Sequence, residues 1–176
     1  MSAESTSYQV VPMSEEQAAA ISEWQYEPPY DIYGWLPWEH MKALDIEFAN
    51  PELRSSQYVA VLDSSGVLCG FAQYFPMVGV TRLGLGMRPE LCGHGQGAAF
   101  VRAIAEEARR RTPHHEIDLE VLVWNERAIK AYRSAGFRIT DTYERQTPDG
   151  MRPFYCMVYD SGENEDNTPN APDSET

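Results

Sequence analysis

Short runs in which apolar and polar residues alternate with a period of two predict several β-strands. Runs at 58–62 and 67–75 flank the turn sequence Asp-Ser-Ser-Gly at 63–66, which is typical of a β-hairpin. A third run covers 80–87, and a fourth, at 117–123, places its apolar side chains on one face. We predict further strands at 8–11, 137–139, 142–145 and 154–159.

A repeat of 3.6 residues predicts two amphipathic helices between the later strands. The longer one, at 96–111, has one apolar face and pairs of glutamate and arginine four residues apart on the other. Asn125 is a suitable N-cap for the second helix, which ends at Gly136, a residue type that favours the left-handed conformation of a C-terminal cap.

The N-terminal third combines helix signals with an aromatic segment. Ser14 and Gln17 form a capping box that predicts a helix at 14–24, and the pattern at 40–48 is again helical. Between them, residues 24–38 are rich in aromatic side chains and in prolines, which exclude a continuous helix. We predict a loop with an aromatic face there.

The order of these elements, β-α-α-β-β-β-α-β-α-β-β, predicts an α/β fold. A mixed central sheet of about six to seven strands would carry helices on its faces. With 176 residues, 43% of them apolar, the chain is long enough for one such core, and we expect a single domain at 1–160. Residues 161–176 contain no large apolar side chain and are acidic, so we expect a disordered tail.

Charge and cysteine usage narrow the classes of partner. The net charge of −13 disfavours nucleic acid or an anionic membrane, and it is compatible with a cationic substrate such as an amine. Cys69, Cys92 and Cys156 match neither a disulfide framework nor a metal site, which indicates reduced thiols in the cytoplasm. The start has no secretory pattern and no run of about 18 apolar residues occurs, so we expect neither a signal peptide nor a membrane span.

A glycine-rich turn lies between the third predicted strand and the longest helix. Gly93, Gly95 and Gly97 allow a ligand to approach the backbone, and the helix N-terminus favours a phosphate, although a turn without a ligand explains the same glycines. A Walker loop is excluded because alanine, not lysine, follows Gly97. A dinucleotide fingerprint stays open, since Ala98 completes the spacing and Asp118 follows about 20 residues later. The preceding hairpin and the short remaining chain disfavour it.

Two motifs at 85–137 resemble the acetyl-CoA-binding core of the GNAT superfamily of N-acetyltransferases. The first motif of that superfamily reads Arg/Gln-x-x-Gly-x-Gly/Ala, and here the turn at 92–98 reads Cys-Gly-His-Gly-Gln-Gly-Ala. The second, Asn-x-x-Ala-x-x-x-Tyr-x-x-x-Gly-Phe, matches 125–137 throughout. The chain is similar to bacterial members of unassigned substrate. The resemblance implies the GNAT fold, with a splay between the middle strands of the sheet.

The resemblance implies acetyl-CoA as the cofactor and gives roles to both motifs. Backbone groups at 85–87 would pair with the pantetheine arm, N–H groups at 93–97 would hold the pyrophosphate, and Asn125 would bond the arm besides capping its helix. Cys92 stands where the superfamily has arginine or glutamine, which should weaken binding of coenzyme A without abolishing it. His94 either compensates for that side chain or faces solvent. The cofactor-binding residues predicted in this way are Leu85, Gly86, Met87, Cys92, Gly93, His94, Gly95, Gln96, Gly97 and Asn125.

The resemblance also implies two catalytic residues and no metal. Tyr132 would point its hydroxyl at the thioester sulfur and protonate the departing thiolate; otherwise it is a core aromatic on the inner face of its helix. Glu120 resembles in position the catalytic glutamate of ribosomal-protein alanine N-acetyltransferases and would act as general base; otherwise it is a solvated or structurally paired strand carboxylate. Glu144 and Asp118 are weaker candidates for the base.

In this superfamily the acceptor site is usually shaped by the region between the first strand and the hairpin. Here that region contains the 24–38 segment, whose aromatic faces and carboxylates would box a cation. The same side chains suit a loop pinned to the core, or a contact between two copies in a homodimer. The predicted substrate-binding residues are Trp24, Tyr26, Tyr30 and Tyr33, with Glu27 and Asp31 beside them.

We therefore expect an N-acetyltransferase that moves an acetyl group from acetyl-CoA directly to a primary amine of a small molecule or peptide. Two alternatives stay open at the level of the sequence. A GNAT-fold module that binds acyl-CoA for regulation, with little turnover, would keep both motifs. A nicotinamide-dinucleotide-binding domain would use the glycine-rich turn.

Overall fold

A mixed β-sheet forms the centre of the protein. The computed structural model describes residues 7–160, so the acidic tail expected at 161–176 lies outside the described residues. The sheet has seven strands: Tyr8–Pro12 (β1), Tyr58–Asp63 (β2), Leu68–Met77 (β3), Val80–Met87 (β4), Glu116–Leu122 (β5), Phe137–Thr147 (β6) and Gly150–Tyr159 (β7). Their order across the sheet is β1-β2-β3-β4-β5-β7-β6.

Five α-helices accompany the sheet within residues 7–160. They span Glu15–Ser22 (α1), Trp38–Leu44 (α2), Pro51–Gln57 (α3), Gly97–Arg111 (α4) and Glu126–Ala135 (α5). Short 3₁₀ turns cover Tyr30–Tyr33, Glu47–Ala49 and Pro89–Leu91. The predicted mixed sheet with helices is confirmed. Among the helices of this part of the chain, none is both long and apolar enough to span a membrane.

The middle of the sheet opens into a splay. β4 and β5 form the parallel pair of an otherwise antiparallel sheet, and they pair only at 80–83 with 116–119. β4 stays paired with β3 as far as Met87, and β5 stays paired with β7 as far as Leu122. The two halves of the sheet therefore diverge, and the facing edges of both strands are left without a strand partner.

Helices cover both faces of the sheet because its central strands bury side chains on both sides. In β2, Val59 and Val61 point toward the layer of α4 and α5, whereas Tyr58 and Ala60 point toward the layer of α1 and α2. α4 buries one apolar stripe in the first of these layers. The stripe consists of Phe100, Val101, Ile104, Ala105 and Ala108.

Local signals explain where several elements begin and end. Ser14 and Gln17 form the predicted capping box, and the helix that follows ends at Ser22, two residues before the expected Trp24. Asp63 accepts two backbone hydrogen bonds within the turn between β2 and β3, which closes the predicted hairpin. These signals act over a few residues, so they do not depend on the rest of the fold.

The helical region before β2 differs from the expectation. The helix predicted at 40–48 is α2, which is ended by Asp45 in the left-handed conformation. A further helix, α3, follows, which the periodicity does not predict. It begins with Asn50 as N-cap, whose side chain accepts from the N–H of Leu53, and with Pro51 at the first helical position. The Asn-Pro pair is the local signal that marks this helix.

One long strand replaces two short ones near the C-terminus. The segments predicted at 137–139 and 142–145 both belong to β6, which pairs with β7 along its length. The register shifts between Ile139 and Asp141, so Thr140 forms a bulge and does not end the strand. The extra residue interrupts the alternation of polar and apolar positions, which is why one strand has the sequence pattern of two.

The close packing of Phe71 on β4 depends on glycine at position 86. A Cβ atom built on Gly86 lies 2.5 Å from the ring of Phe71, which is itself packed against Trp35. Gly86→Ala should therefore lower the free energy of unfolding by about 1–3 kcal/mol, as overpacking does. Gly84→Ala is the matched control on the same strand, because a Cβ there meets Gln73 at an ordinary 3.6 Å. Urea denaturation compares the two, and equal effects would contradict the close approach at Gly86.

Candidate active site

The splay opens into a cavity of about 820 Å³. Its walls are the ends of β4 and β5, the N-terminal parts of α4 and α5, and the aromatic segment 24–38. A cavity of this size is in the range that binds small-molecule ligands and cofactors. Most residues that the sequence singles out meet here. They are Tyr26, Tyr30, Tyr33, Leu85, Gly86, Met87, Cys92, Gly93, Gly95, Gly97, Glu120, Asn125 and Tyr132.

Three predicted site residues do not line this cavity. His94 is exposed on the glycine-rich turn. The side chain of Gln96 accepts a hydrogen bond from the hydroxyl of Tyr8 at 3.1 Å. The ring of Trp24 packs 6.3 Å from that of Phe71 in the second core layer. Neither His94 nor Gln96 thus brings its side chain to the cavity, and Trp24 belongs to the core.

The glycine-rich turn at 92–97 brings the N-terminus of α4 to one end of the cavity. Gly93 and Gly95 have φ values of +80° and +78°, a conformation that favours glycine. Gln96 occupies the N-cap position, but its side chain does not cap the helix, so within residues 7–160 the first N–H groups of α4 have no side-chain partner. Such N–H groups and the helix dipole favour an anion. This end of the cavity therefore suits a phosphate.

The open edge of β4 forms a second wall. Backbone groups at 84–87 that face β5 have no partner within the described sheet, because the pairing of the two strands stops at Leu83. At the end of the strand, the carbonyl of Met87 accepts a hydrogen bond from the hydroxyl of Tyr26 at 2.7 Å. The remaining edge suits an extended ligand that carries amide groups.

Tyr132 reaches the cavity from α5. Its ring packs against Phe137 at a centroid distance of 6.1 Å, beside the first core layer. Its hydroxyl forms no hydrogen bond within residues 7–160. Burial raises the pKa of this phenol, and the neighbouring Tyr33 raises it further. Tyr132 therefore stays protonated at neutral pH and has a proton available for a ligand.

Asn125 connects α5 with the aromatic segment. Its Oδ1 atom accepts from the N–H of Ala128 at 3.2 Å, which is the predicted N-cap. Its Nδ2 atom donates to the hydroxyl of Tyr33 at 3.0 Å. Asn125 is only 6% exposed, so water does not readily replace either bond. The contact with a cofactor arm that we predict for Asn125 would use the second N–H of the same amide.

The aromatic segment bridges the two sides of the splay. Tyr26 is bonded to the end of β4, while Tyr30 and Tyr33 pack against Trp124, just after β5, at centroid distances of 5.8 and 6.5 Å. The guanidinium of Arg127 lies 3.7 Å above the ring of Tyr30. We call this segment the roof (residues 24–38), because it is attached to both sides of the opening that it covers.

The cation box predicted on the roof is not formed as expected. Trp24 lies outside the cavity, and Glu27 and Asp31 are exposed and do not line it. The hydroxyl or ring of each remaining tyrosine already has a partner within the chain. These contacts correspond to the alternative interpretation, a loop pinned to the core. Tyr26, Tyr30 and Tyr33 still line the cavity and remain candidates for contact with an acceptor.

Glu120 lies on the wall of the cavity within a network of charged side chains. Arg82 donates to both oxygens of Asp118 at 3.0 Å and to Oε1 of Glu120 at 2.9 Å. Arg145 forms an ion pair with the same Oε1 atom. The hydroxyl of Tyr143 donates to Oε2 at 2.6 Å. Both oxygens of Glu120 are therefore engaged.

This arrangement does not support the predicted role of Glu120 as general base. A base needs an oxygen within reach of the amine, whereas each oxygen here would first have to leave a guanidinium or a phenol. Of the weaker candidates, Asp118 is bound to Arg82, and Glu144 is exposed on β6 outside the cavity. The geometry favours the paired-carboxylate alternative for Glu120.

The cavity also contains residues that neither motif singles out. Arg127 and Lys130 line it from α5, and Phe71 and Gln73 line it from β3. The helical repeat is the signal for the first two, because they share one stripe of α5 with Ala131. No local signal marks the two residues of β3, since their position depends on the pairing of β3 with β4.

Known proteins are similar to this chain in sequence family and in fold. A family model described as the acetyltransferase (GNAT) family matches residues 14–137. No curated protein matches the chain significantly. Among solved structures, an acetyltransferase (GNAT family) from Bacillus anthracis is 12% identical with a TM-score of 0.72, covering 91% of this chain and 98% of that one.

Two further solved structures are similar in fold. A chimera of spermidine N-acetyltransferase SpeG from Vibrio cholerae and hSSAT is 14% identical with a TM-score of 0.69, covering 91% of this chain and 99% of the other. AAC(6′)-Ib in complex with paromomycin and acetyl-CoA is 21% identical with a TM-score of 0.67, covering 94% and 99%. At these identities the likeness establishes the fold.

The two hydrogen bonds of Asn125 generate a stability prediction. Asn125→Ala should lower the free energy of unfolding by about 1–2 kcal/mol, because α5 loses its cap and Tyr33 loses a buried donor. Asn125→Asp keeps an acceptor at the cap position and should retain most of the stability. Urea denaturation measures both variants. An alanine variant as stable as the parent would show that the cap contributes nothing here.

Proposed function

Because the chain belongs to the acetyltransferase (GNAT) family, we propose that it moves the acetyl group of acetyl-CoA directly to a primary amine of a small molecule or peptide. One observation carries this proposal. Tyr132, whose hydroxyl forms no hydrogen bond in the described part of the chain, lines the cavity that opens at the splay. A proton donor there would serve a leaving group inside the cavity.

The cavity fits the parts of coenzyme A. The open edge of β4 at 84–87 offers backbone groups to the amides of a pantetheine arm. The turn at 92–97 and the N-terminus of α4 offer N–H groups to its phosphates. On one face of β4 the side chains of Phe71 and Gln73 lie over Gly86 and Gly84, and all four residues line the cavity beside the splay.

Tyr132 acts as the acid in the proposed reaction. When bound, acetyl-CoA supplies the acetyl group as a thioester. Tyr132 donates its proton to the sulfur as the bond to the acetyl carbon breaks, so that a thiol leaves in place of a thiolate. Its raised pKa keeps this proton on the phenol through neutral and mildly alkaline pH. The hydrogen bond between Asn125 and Tyr33 attaches the roof to the start of α5 beside this region.

The proton of the attacking amine goes to water in this proposal. Glu120 is held by Arg82, Arg145 and Tyr143, so we assign it a fixed place in the wall and no proton transfer. The acceptor then has to reach the thioester as a neutral amine. The rate at limiting acceptor should therefore rise with pH until the amine is fully deprotonated.

The state of the thiols supports direct transfer without an acetylated enzyme. Cys92 is the cysteine that lines the cavity, and burial raises the pKa of its thiol. A protonated thiol is a far weaker nucleophile than a thiolate. Its Sγ atom is also within 3.7 Å of the carbonyl of Met87. We therefore assign no covalent role to Cys92.

The proposal also includes the chemical class of the acceptor and the cellular location of the reaction. Two neighbours in fold are named as a spermidine N-acetyltransferase and an aminoglycoside acetyltransferase, and both names refer to amine compounds. We propose an amine acceptor here too, with no nucleic acid or membrane partner. Free Cys69, Cys92 and Cys156 suit a reducing compartment, so we locate the reaction in the cytoplasm. A homodimer through the roof stays a prediction.

The strand order of the sheet bears on one of the two alternatives that the sequence leaves open. A dinucleotide-binding domain would need a mostly parallel, doubly wound sheet, whereas this sheet is parallel only between β4 and β5, so that alternative is wrong. A module that binds acyl-CoA with little turnover would share the cavity. A measurement of turnover separates it from an enzyme.

Tyr132→Phe tests the acid. Turnover, read as free thiol released from acetyl-CoA with a panel of amines, should fall about 100-fold or more. The affinity for coenzyme A, measured by calorimetry, should not change, because the removed hydroxyl has no hydrogen-bond partner in the described part of the chain. Tyr159→Phe, whose hydroxyl bonds Glu106 outside the cavity, is the matched control and should keep both values. Unchanged turnover in Tyr132→Phe would overturn the acid role, and a parent protein that binds coenzyme A without turnover would favour the binding module.

Cys92→Ala tests direct transfer. The variant should keep most of its turnover, and mass spectrometry of the parent mixed with acetyl-CoA alone should detect no acetylated cysteine. Cys156→Ala is the control, since that thiol is buried beside Asp118 away from the cavity. An acetyl group found on Cys92, together with lost turnover in Cys92→Ala, would replace direct transfer with a two-step reaction.

A further inference from the structure

The turn at 92–97 forms the end of the cavity that suits a phosphate. This turn contains no lysine or arginine. Besides backbone N–H groups, residues 92–97 contribute a thiol, an exposed imidazole and an amide. Coenzyme A carries a pyrophosphate and a 3′-phosphate, and the protein itself has a net charge of −13. A cationic side chain from another element would complete this end of the cavity.

Arg127 is the second residue of α5, whose start borders the cavity. α4 and α5 approach closely, because a Cβ atom on Gly97 would lie 3.1 Å from that of Ala131, one helical turn after Arg127. The turn at 92–97 leads into this contact. Arg127 is close enough to lower the pKa of the Cys92 thiol, against the larger effect of burial, which raises it. Arg127 and residues of the turn thus line the same cavity.

The guanidinium of Arg127 is held against an aromatic ring, and within residues 7–160 no carboxylate neutralises its charge. It lies 3.7 Å above the ring of Tyr30, and within residues 7–160 it forms no salt bridge or side-chain hydrogen bond. Lys130, the other cation that lines the cavity, is exposed as Arg127 is, but within residues 7–160 its ammonium stacks on no aromatic ring. A stacked guanidinium keeps its planar donors available for a phosphate while its orientation is restrained.

We propose that Arg127 binds a phosphate of acetyl-CoA and supplies the cation that the turn at 92–97 lacks, with Tyr30 as its positioning residue. The inference rests on the proposed function, since it requires coenzyme A in this cavity. It also gives the roof a second role, because a residue of the roof then orients a cofactor-binding side chain.

The test compares Arg127→Gln with Arg133→Gln, the same change at an exposed position of α5 outside the cavity. Calorimetry measures the affinity for coenzyme A and dephospho-coenzyme A, and the shift in melting temperature measures the binding of pantetheine, which has no phosphate. Arg127→Gln should weaken coenzyme A about tenfold or more, as loss of a charge-assisted hydrogen bond does. Its binding of pantetheine should not change, and Arg133→Gln should resemble the parent for every ligand.

The ligands identify the phosphate and expose a purely structural role. A loss shared by both coenzymes assigns Arg127 to the pyrophosphate, and a loss confined to coenzyme A assigns it to the 3′-phosphate; either result supports the inference. An equal loss for pantetheine would mean that Arg127 only holds the roof, and unchanged affinities would also overturn the inference. A parent protein that does not bind coenzyme A would overturn the proposed function itself, a result distinct from the failure of Arg127 alone.

The role of Tyr30 has its own readout. Tyr30→Phe keeps the ring under the guanidinium and should retain the affinity for coenzyme A. Tyr30→Leu removes the ring and should weaken coenzyme A while leaving pantetheine unchanged. Equal affinities of the two variants for coenzyme A would overturn the positioning role.

Discussion

The site depends on one interruption of backbone pairing, the divergence of β4 and β5 beyond Leu83 and Leu119. Past that point each strand is held by its other neighbour, so the gap cannot close without breaking a ladder that already exists. Peptide groups at the gap need water or a ligand as partners. α4 follows β4 and α5 follows β5 in the chain, so both helix N-termini lie at the same opening. An amide-containing arm and a phosphate are thus accommodated by one feature of the topology.

The roof narrows this opening into a cavity that stays partly open to solvent. Its contacts with β4 through Tyr26, and with the start of α5 through Tyr33 and Asn125, join the two halves of the sheet where their pairing ends. A tyrosine suits this task because its ring packs on apolar neighbours while its hydroxyl reaches a polar atom. The aromatic composition of the roof is therefore explained by its attachments, and it does not by itself indicate a cationic ligand.

Features that depend on a few neighbouring residues could be predicted from the sequence. The caps at Ser14, Asn125 and Gly136 are of this kind, since donor and acceptor lie within four positions. The partners of Glu120 could not. Arg82 comes from β4, whereas Tyr143 and Arg145 come from β6 and reach across β7, and that strand order is not visible along the chain. The motifs predict which residues line the cavity. Which of those side chains already have hydrogen-bond or ion-pair partners depends on the tertiary structure.

The ion pairs and the hydrogen bond of Glu120 would also affect the pKa of an amine acceptor. A carboxylate without partners beside the thioester would stabilise the ammonium form and raise the pKa of the bound amine, which would suppress the nucleophile. In the structure Arg82 and Arg145 balance the charges of Asp118 and Glu120, so this cluster of four side chains is close to neutral as a group. The acidic surface still attracts a cation over a longer range. For the proposed acceptor, the acidic surface would attract the ammonium form, whereas the balanced cluster would not oppose loss of its proton. An acidic protein is therefore compatible with the proposed reaction of a neutral amine.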